Sequence, residues 1–363
     1  MEEQMSFEEL QEIVSLLIDE VVQLKQREED NKLQMQEMNK IITALIGQHE
    51  KFVIDFQETK ENIATSLRIQ DYGLTNIKYE LADPTVSDSS FYYPNFFPIE
   101  KTIEDIVIHG ASLSRFGDGE FAIMAGHKRQ KFQQMDERLQ RRLIEVFRSR
   151  EEKILIAIAD NYGNLDKFSR AGKSGIRAYM TEEIRLEHKQ FLDLSRTYHN
   201  AYISRPCVLY ADCETEKPGK RFKVLRRIWD KRNVIMIEGE QTRLGVGNDL
   251  FLNANRIGRI EGPAENSFVA YDRLLQAAIR HAEDDTLFLL AMGPTASVLA
   301  YDLAMHGYQA VDIGHLDLEY EWYLKGGRRC QVENKYNNEV PGGEKVHSIA
   351  DPVYESQILE RCL

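Results

Sequence analysis

The chain has 363 residues, 42% hydrophobic and 29% charged, with a formal net charge of −13. That length accommodates two or three folded units and a sizeable core. The acidic balance argues against non-specific nucleic-acid binding, which needs Lys and Arg to neutralise phosphates.

Cys207, Cys213, Cys330 and Cys362 show no Cys-x-x-Cys spacing, so neither a disulfide scaffold nor a zinc site is indicated, and a reducing cytoplasm fits best. The first residues are acidic (Glu2, Glu3, Glu8, Glu9) and no apolar run approaches a membrane span. A cytoplasmic protein without an integral membrane segment is therefore expected.

From Phe7 to Phe56 apolar residues alternate at spacings of three and four: Phe7, Leu10, Val14, Leu17, Val21, Leu24, then Met35, Met38, Ile42, Leu45, then Phe52 and Phe56. This is a heptad seam, interrupted by Glu28, Asn31 and His49, and it predicts a coiled-coil helix over residues 1–60 that forms a homo-oligomer, a parallel dimer or trimer, with a long amphipathic helix packed on its own globular domain as the plainer alternative. Residues 61–98 read as a connector. Asp83-Pro84 and Ser87 to Ser90 break periodicity, and the aromatic, proline-punctuated segment Phe91 to Pro98 is expected to dock onto the domain that follows.

Residues 99–363 alternate short apolar runs with helical patterns. Ile103 to Ser114 reads as a helix entering a strand, Glu120 to Gly126 as a helix start, Lys131 to Arg150 as a basic helix and Lys153 to Asp160 as a buried strand. Ala178 to Leu194 reads as one helix, Cys207 to Tyr210 as a strand and Gly219 to Lys231 as a helix. Asn233 to Glu238 is the next strand, followed by a helical stretch near Asp249 to Asn253. Further strands end at Pro263, Met292 and Ile313, with helices at Asn266 to His281 and Ala296 to His306. Such alternation means an α/β domain with a mainly parallel sheet and flanking helices, whose ligands gather at the carboxyl ends of strands.

The turn Leu113 to Phe121 places Asp118 and Glu120 one residue apart, beside Gly117 and Gly119. Paired carboxylates on a tight glycine turn suit a hard divalent cation, and Arg115 suits a phosphate. An ordinary turn with a first-turn helix acid, and a structural salt bridge, are the plainer alternatives. In Met292 to Ser297, Gly293 permits close backbone approach while Thr295 and Ser297 place hydroxyls near the free amides around Ala296, so this loop is a phosphate candidate. Thr295 equally suits a helix cap. The last strand leads into Asp312, His315, Asp317 and Glu319.

These blocks together, Arg115-Phe116-Gly117-Asp118-Gly119-Glu120-Phe121, Glu261-Gly262-Pro263-Ala264 with Asn266, Met292-Gly293-Pro294-Thr295 and Asp312-Ile313-Gly314-His315, resemble the GT-D type bacterial glycosyltransferases over roughly residues 99–323. The resemblance implies a Rossmann-like nucleotide-sugar fold and glucosyl transfer from UDP-glucose during glycosylation of surface adhesins. It maps the family's metal-binding Asp-x-Glu motif onto Asp118 and Glu120, with Mn²⁺ or Mg²⁺ as expected cofactor. Arg115, Glu261, Asn266, Gly293, Thr295, Ala296 and Ser297 are the expected donor-binding residues; a glycan or glycoprotein is the expected acceptor. Glu238, Glu240, Asp317 and Glu319 are candidates for the catalytic base or for acceptor binding, with Glu240, Asp317 and Glu319 as the catalytic candidates. A nucleotide phosphohydrolase or nucleotidyltransferase, and a non-catalytic coiled-coil scaffold with a ligand-binding α/β domain, are the competing readings.

Overall fold

The structure is a computed structural model describing residues 7–81, 93–128, 132–346 and 351–363. Asp83-Pro84, Ser87 to Ser90, Phe91, Tyr92 and Lys131 lie outside the described residues. The chain divides into two units, Met1–Arg68 and Ile69–Leu363.

One helix, α1 (Phe7–Leu81), fills the described part of the first unit and supplies the start of the second. It contains no Pro and only Gly47 and Gly73 as weak helix formers, so nothing in its sequence breaks it. Residues 61–81, read as connector, are therefore helical. Every described side chain from Phe7 to Arg68 is exposed. Within the second unit the last turns of α1 are anchored: buried Asn76 donates from Nδ2 to the Arg177 carbonyl at 2.6 Å, and Glu80 accepts from Arg177 Nη2 at 2.6 Å. The Arg185 guanidinium stacks 3.9 Å from the Tyr79 ring centroid.

After α1 the elements are β1 (Asn95–Phe96), α2 (Ile99–Ile108), β2 (Ser112–Phe116), α3 (Asp118–Met124), α4 (Glu137–Arg148), β3 (Ile154–Ile158), α5 (Arg170–Tyr179), α6 (Glu182–Lys189) and β4 (Thr197–Asn200). They continue as α7 (Lys217–Leu225), β5 (Asn233–Gly239), β6 (Arg256–Gly262), α8 (Tyr271–His281), β7 (Leu287–Ala291), α9 (Pro294–Met305), β8 (Gln309–Asp312), α10 (Leu316–Leu324), α11 (Pro352–Gln357) and β9 (Ile358–Arg361). Among the described residues the strands form one nine-stranded sheet, β1-β4-β3-β2-β8-β7-β5-β6-β9. Every pairing in it is parallel. Helices cover both faces, so the central strands are apolar throughout: all of β7, Leu-Phe-Leu-Leu-Ala, is buried. No helix among the described residues is long and apolar enough to cross a membrane.

Four expected elements differ. The helix expected from Ala178 to Leu194 is two helices, because Ser169 caps α5 at Gly172 N and Thr181 restarts the chain by capping Ile184 N. Cys207 to Tyr210 is not a strand but makes a single antiparallel bridge from Tyr210 to Phe168; the neighbour of β3 is β4. Residues 249–253 form turns rather than helix. The basic helix begins at Glu137, where Asp136 accepts from Leu139 N at 2.8 Å.

Two buried histidines tie the first half of the sheet to its helices. His188 stacks on Phe121 with centroids 3.8 Å apart, and the hydroxyls of Tyr162 and Tyr179 lie 2.6 and 2.9 Å from its ring nitrogens. Burial, helped by Arg185, lowers its pKa to about 3. His199 falls to about 4, again through burial, which Asp105 only partly offsets. Both rings stay neutral in the folded chain while the unfolded chain takes up protons below pH 6.5, so the stability they contribute is present above that pH and lost on acidification. Urea titrations from pH 6.5 to 5 should show stability falling by up to about 1.4 kcal/mol per pH unit for each ring. His188→Gln should flatten that slope; an unchanged slope would refute the assignment.

Candidate functional site

The chain reverses its direction of progress across the sheet between β2 and β8: β3, β4 and β1 lie to one side, β7, β5, β6 and β9 to the other. In parallel sheets the crevice at such a switch point is where loops diverge and ligands are held. A cavity of about 930 Å³ lies here, lined by residues that follow β2, β7 and β8 and by two longer loops. Its volume is at the upper end for small-molecule sites.

Asp118 and Glu120 follow β2 directly and both line the cavity. They are the first and third residues of α3, where acids are favoured by the helix dipole. Asp118 is exposed; Glu120 is partly buried and accepts from Gly117 N at 2.7 Å. Burial pushes the Glu120 pKa up to about 7, the Gly117 N–H opposes this, and Asp118 adds to the rise. A desolvated carboxylate beside a second carboxylate is an arrangement that a divalent cation relieves. Among the described residues no group of three His, Cys, Asp or Glu is assembled to hold a metal. The pair therefore fits an open site of the kind that fills its shell with substrate oxygens and water.

Arg115 also lines the cavity, but its donors are committed. Nε donates to the Asp312 carbonyl at 2.8 Å, Nη2 to Asp312 Oδ1 at 2.7 Å and Nη1 to Ser204 Oγ at 2.7 Å. These bonds brace the floor of the site.

After β7, Gly293 (φ 54°) and Pro294 line the cavity. A Cβ on Gly293 would come within 2.1 Å of Phe132 Cε1. The three residues that follow turn inward. Thr295, Ala296 and Ser297 are fully buried. Thr295 Oγ1 accepts from Ser267 Oγ at 2.9 Å, and Ser297 Oγ donates to the Arg115 carbonyl at 2.7 Å. Both hydroxyls are engaged within the fold: they join α9 to its neighbours, and close approach at Gly293 serves Phe132.

Asn266 does not line the cavity but shapes it. Its N–H donates to the Phe132 carbonyl at 2.7 Å and its Oδ1 accepts from Gln134 N at 2.7 Å. Both Phe132 (φ 60°) and Asn266 (φ 52°) hold left-handed backbone, uncommon for a bulky residue. Phe132 in turn lies 5.9 Å from the Tyr336 ring, so the two make an aromatic wall.

The candidate bases sit differently about the cavity. Glu240 and Glu319 are not among the residues that line the cavity. Glu319 is fully buried, accepts from Cys207 N and Val208 N at 3.0 Å, and serves the loop after β4. Asp317 does line the cavity, but Oδ1 accepts from Gly245 N and Asn248, and Oδ2 from buried Lys335 Nζ at 2.6 Å. Glu261, expected at the donor, is buried beneath Tyr354 and Arg361 instead.

Arg205, Arg328, Arg329 and Glu339 are cavity residues that the sequence reading missed. Arg205 forms a two-pronged pair with Glu339, which also meets His315 at 3.3 Å and Arg329 at 3.6 Å. Burial works against ionisation of Glu339, but Arg205 and His315 outweigh it and hold the carboxyl well below its usual range. Burial and Arg205 lower the His315 pKa to about 4. These residues lie on loops with no spacing signature; the run Gly326-Gly327-Arg328-Arg329 was the one local cue.

The fold is a glycosyltransferase architecture, and the chain belongs to the glycosyltransferase family of GT-D fold, whose model matches residues 113–340. It is 34% identical over 266 residues to a probable glycosyl transferase, Gly, of Streptococcus gordonii, which takes in 72% of this chain and 38% of that protein. It is likewise 34% identical over 269 residues to the glycosyltransferase GlyD of Streptococcus pneumoniae serotype 4, covering 73% of this chain and 32% of that one. The chain thus spans roughly a third of the length of these relatives. A solved glycosyltransferase of Streptococcus sanguinis, of the domain once numbered as unknown function 1792, superposes with a TM-score of 0.69 at 31% identity, covering 74% of this chain and 99% of that one.

The contact between Gly293 and Phe132 is testable. Gly293→Ala combines a left-handed backbone with a clash and should cost about 1–3 kcal/mol in urea unfolding. Adding Phe132→Ala should recover at least about 0.5 kcal/mol relative to the sum of the single changes. Strict additivity would show that the ring does not press on this glycine.

Proposed function

We propose that the chain is a metal-dependent glycosyltransferase that moves a hexose, glucose ahead of other sugars, from a UDP-sugar to a glycan acceptor in glycoprotein or surface-polysaccharide glycosylation. One observation carries the reading: the Asp118–Glu120 turn lines the same cavity as Arg205, Arg328, Arg329 and the Phe132–Tyr336 wall. Carboxylates for a cation, guanidinium groups for phosphate and aromatic faces for a base are what a nucleoside-diphosphate sugar requires. The relatives named as glycosyltransferases support the same reaction class.

Asp118 and Glu120 would hold the cation, which when bound offsets the charge that develops on the departing diphosphate. Arg328 and Arg329 line the cavity, where their guanidinium groups suit an anionic ligand. Arg205 has both prongs on Glu339, so it holds that carboxylate in place at the cavity instead of gripping a phosphate itself. Phe132 and Tyr336 present ring faces for stacking, and Tyr336 is steadied by its hydroxyl donating to Glu265 at 2.7 Å.

The test is release of UDP from a panel of UDP-sugars by the purified chain with Mn²⁺ and an acceptor. UDP-glucose should be turned over fastest and chelation should stop the reaction. Asp118→Asn, at an exposed position, should lower kcat/KM at least about a hundredfold with an unchanged melting temperature. Undiminished turnover in this variant, or nucleotide hydrolysis that needs no sugar donor, would overturn the proposal.

A further inference from the structure

The exposed face of α1 has its own pattern beyond the seam. With Phe7 at heptad position a, the seam runs on one heptad past Phe56 to Ile63, with Thr59 at the intervening d position; Ser66, Gln70 and Gly73 then occupy the seam positions. The first unit ends five residues past Ile63, at Arg68, and the last turns of α1 take up the contacts with Arg177 and Arg185 instead. Along the seam the side chains lie in water: Phe7 is 78% exposed, Leu17 55%, Met35 66% and Phe52 66%. This is roughly 85 Å of helix. A second helix laid along that length would bury more than the ~1,600 Å² of a standard stable interface.

The positions flanking the seam identify the occupant. In a parallel, in-register pair, the residue at g on one helix meets the residue at e, five further on, in the other. Ile13 then meets Ile18 and Ile41 meets Ile46, while Glu20 meets Lys25 and Asp55 meets Lys60. In these four pairs apolar faces apolar and acid faces base, each twice by symmetry; Gln48 against Val53 and Asn62 against Leu67 are mixed. The one like-charge pair, Arg27 against Lys32, falls in the heptad where Glu28 holds a seam position and supplies an opposing charge. An antiparallel pair sets e against e and g against g, which separates Lys25 and Lys60 from their acids. Val14, Val21 and Ile42 at a, with Leu10, Leu17, Leu24 and Leu45 at d, is the combination that selects two strands.

We infer that this face is covered by a second copy of the same chain, forming a parallel, in-register, two-stranded coiled coil from Phe7 to Ile63. The inference is independent of the sugar, the cation and the acceptor. It joins the two catalytic units through the same end of the coil, where linked sites gain effective concentration on an acceptor with several attachment points.

The full-length chain should scatter light as a dimer at micromolar concentration. Leu17→Cys should cross-link to a dimer under mild oxidation in non-reducing gels, while the unsubstituted chain should not. Glu20→Lys should weaken the dimer about tenfold by setting Lys against Lys at two symmetric positions, and adding Lys25→Glu should restore it. A monomer would mean that a different protein covers the face. A trimer or larger assembly, or cross-linking only when Leu17→Cys is mixed with Phe52→Cys, would reject the two-stranded parallel arrangement.

Discussion

The second unit depends on how β2 and β8 are held together at their carboxyl ends. β2 pairs with β3 over five residues, but with β8 through Leu113 and Val311 alone. Backbone groups left without a ladder partner in a buried sheet must be satisfied some other way. Side chains do it here: Arg115 Nε takes the Asp312 carbonyl, Ser297 Oγ takes the Arg115 carbonyl, and Ser114 Oγ takes the Ser297 carbonyl at 2.6 Å. Replacing ladder bonds with side-chain bonds at the switch point holds the two halves of the sheet together while leaving the crevice above them open. Asp312 bears part of the cost. Its burial raises its pKa, and Arg115 pulls it back down.

A second constraint is the amount of charge placed inside. Glu238 with Arg259, and Asp317 with Lys335, are ion pairs with side chains at most 4% exposed. Such pairs rarely stabilise more than an apolar substitute, since desolvation cancels most of the Coulomb gain, but removing one partner costs about 3–5 kcal/mol. Their effect is to fix loops. Glu238 accepts from Leu244 N and Asp317 from Gly245 N, so the segment after β5 is held from two sides, and Leu244 lines the cavity. Glu319 does the same for Cys207 and Val208, with Arg205 3.9 Å from its other oxygen. The acids that look most catalytic in the sequence are largely the ones that hold the walls.

That explains what was legible beforehand and what was not. The strands Lys153 to Asp160, Asn233 to Glu238 and Thr286 to Met292 were readable because a strand covered on both faces is an uninterrupted apolar run. The Asp118–Glu120 turn was readable because its glycines and acids are contiguous, and it does line the cavity. Edge strands β1 and β9 were missed: they are two and four residues long and carry no such run. The acids after β8 were read as a surface or catalytic cluster because their partners lie elsewhere in the chain. Glu319 meets residues more than a hundred positions earlier, and Glu261 meets Arg361 exactly one hundred later. A side chain's function in such a network is a property of the pair, and a single sequence does not display the pair. The continuous helix through residues 61–81 was obscured differently, since its seam stops at Ile63 although its helical propensity does not.

The reason for that stop lies in the second job of α1. Beyond the seam its side chains no longer repeat, because they meet particular groups: Asn76 the Arg177 carbonyl, Glu80 the Arg177 guanidinium, Tyr79 the Arg185 guanidinium. Arg177 belongs to α5, and Gly172, Gly175, Ile176 and Tyr179 of that helix line the cavity. α5 is therefore braced by α1 while it forms part of the wall, and its own approach to the loop is close enough that a Cβ on Gly172 would meet the Leu209 carbonyl at 2.6 Å. A short helix held so tightly cannot shift without disturbing α1, whose Asn76 side chain is fully buried against it. The end of the long helix thus acts as a buttress for the cavity wall, and that role demands individual, non-repeating contacts where the seam demands a strict repeat.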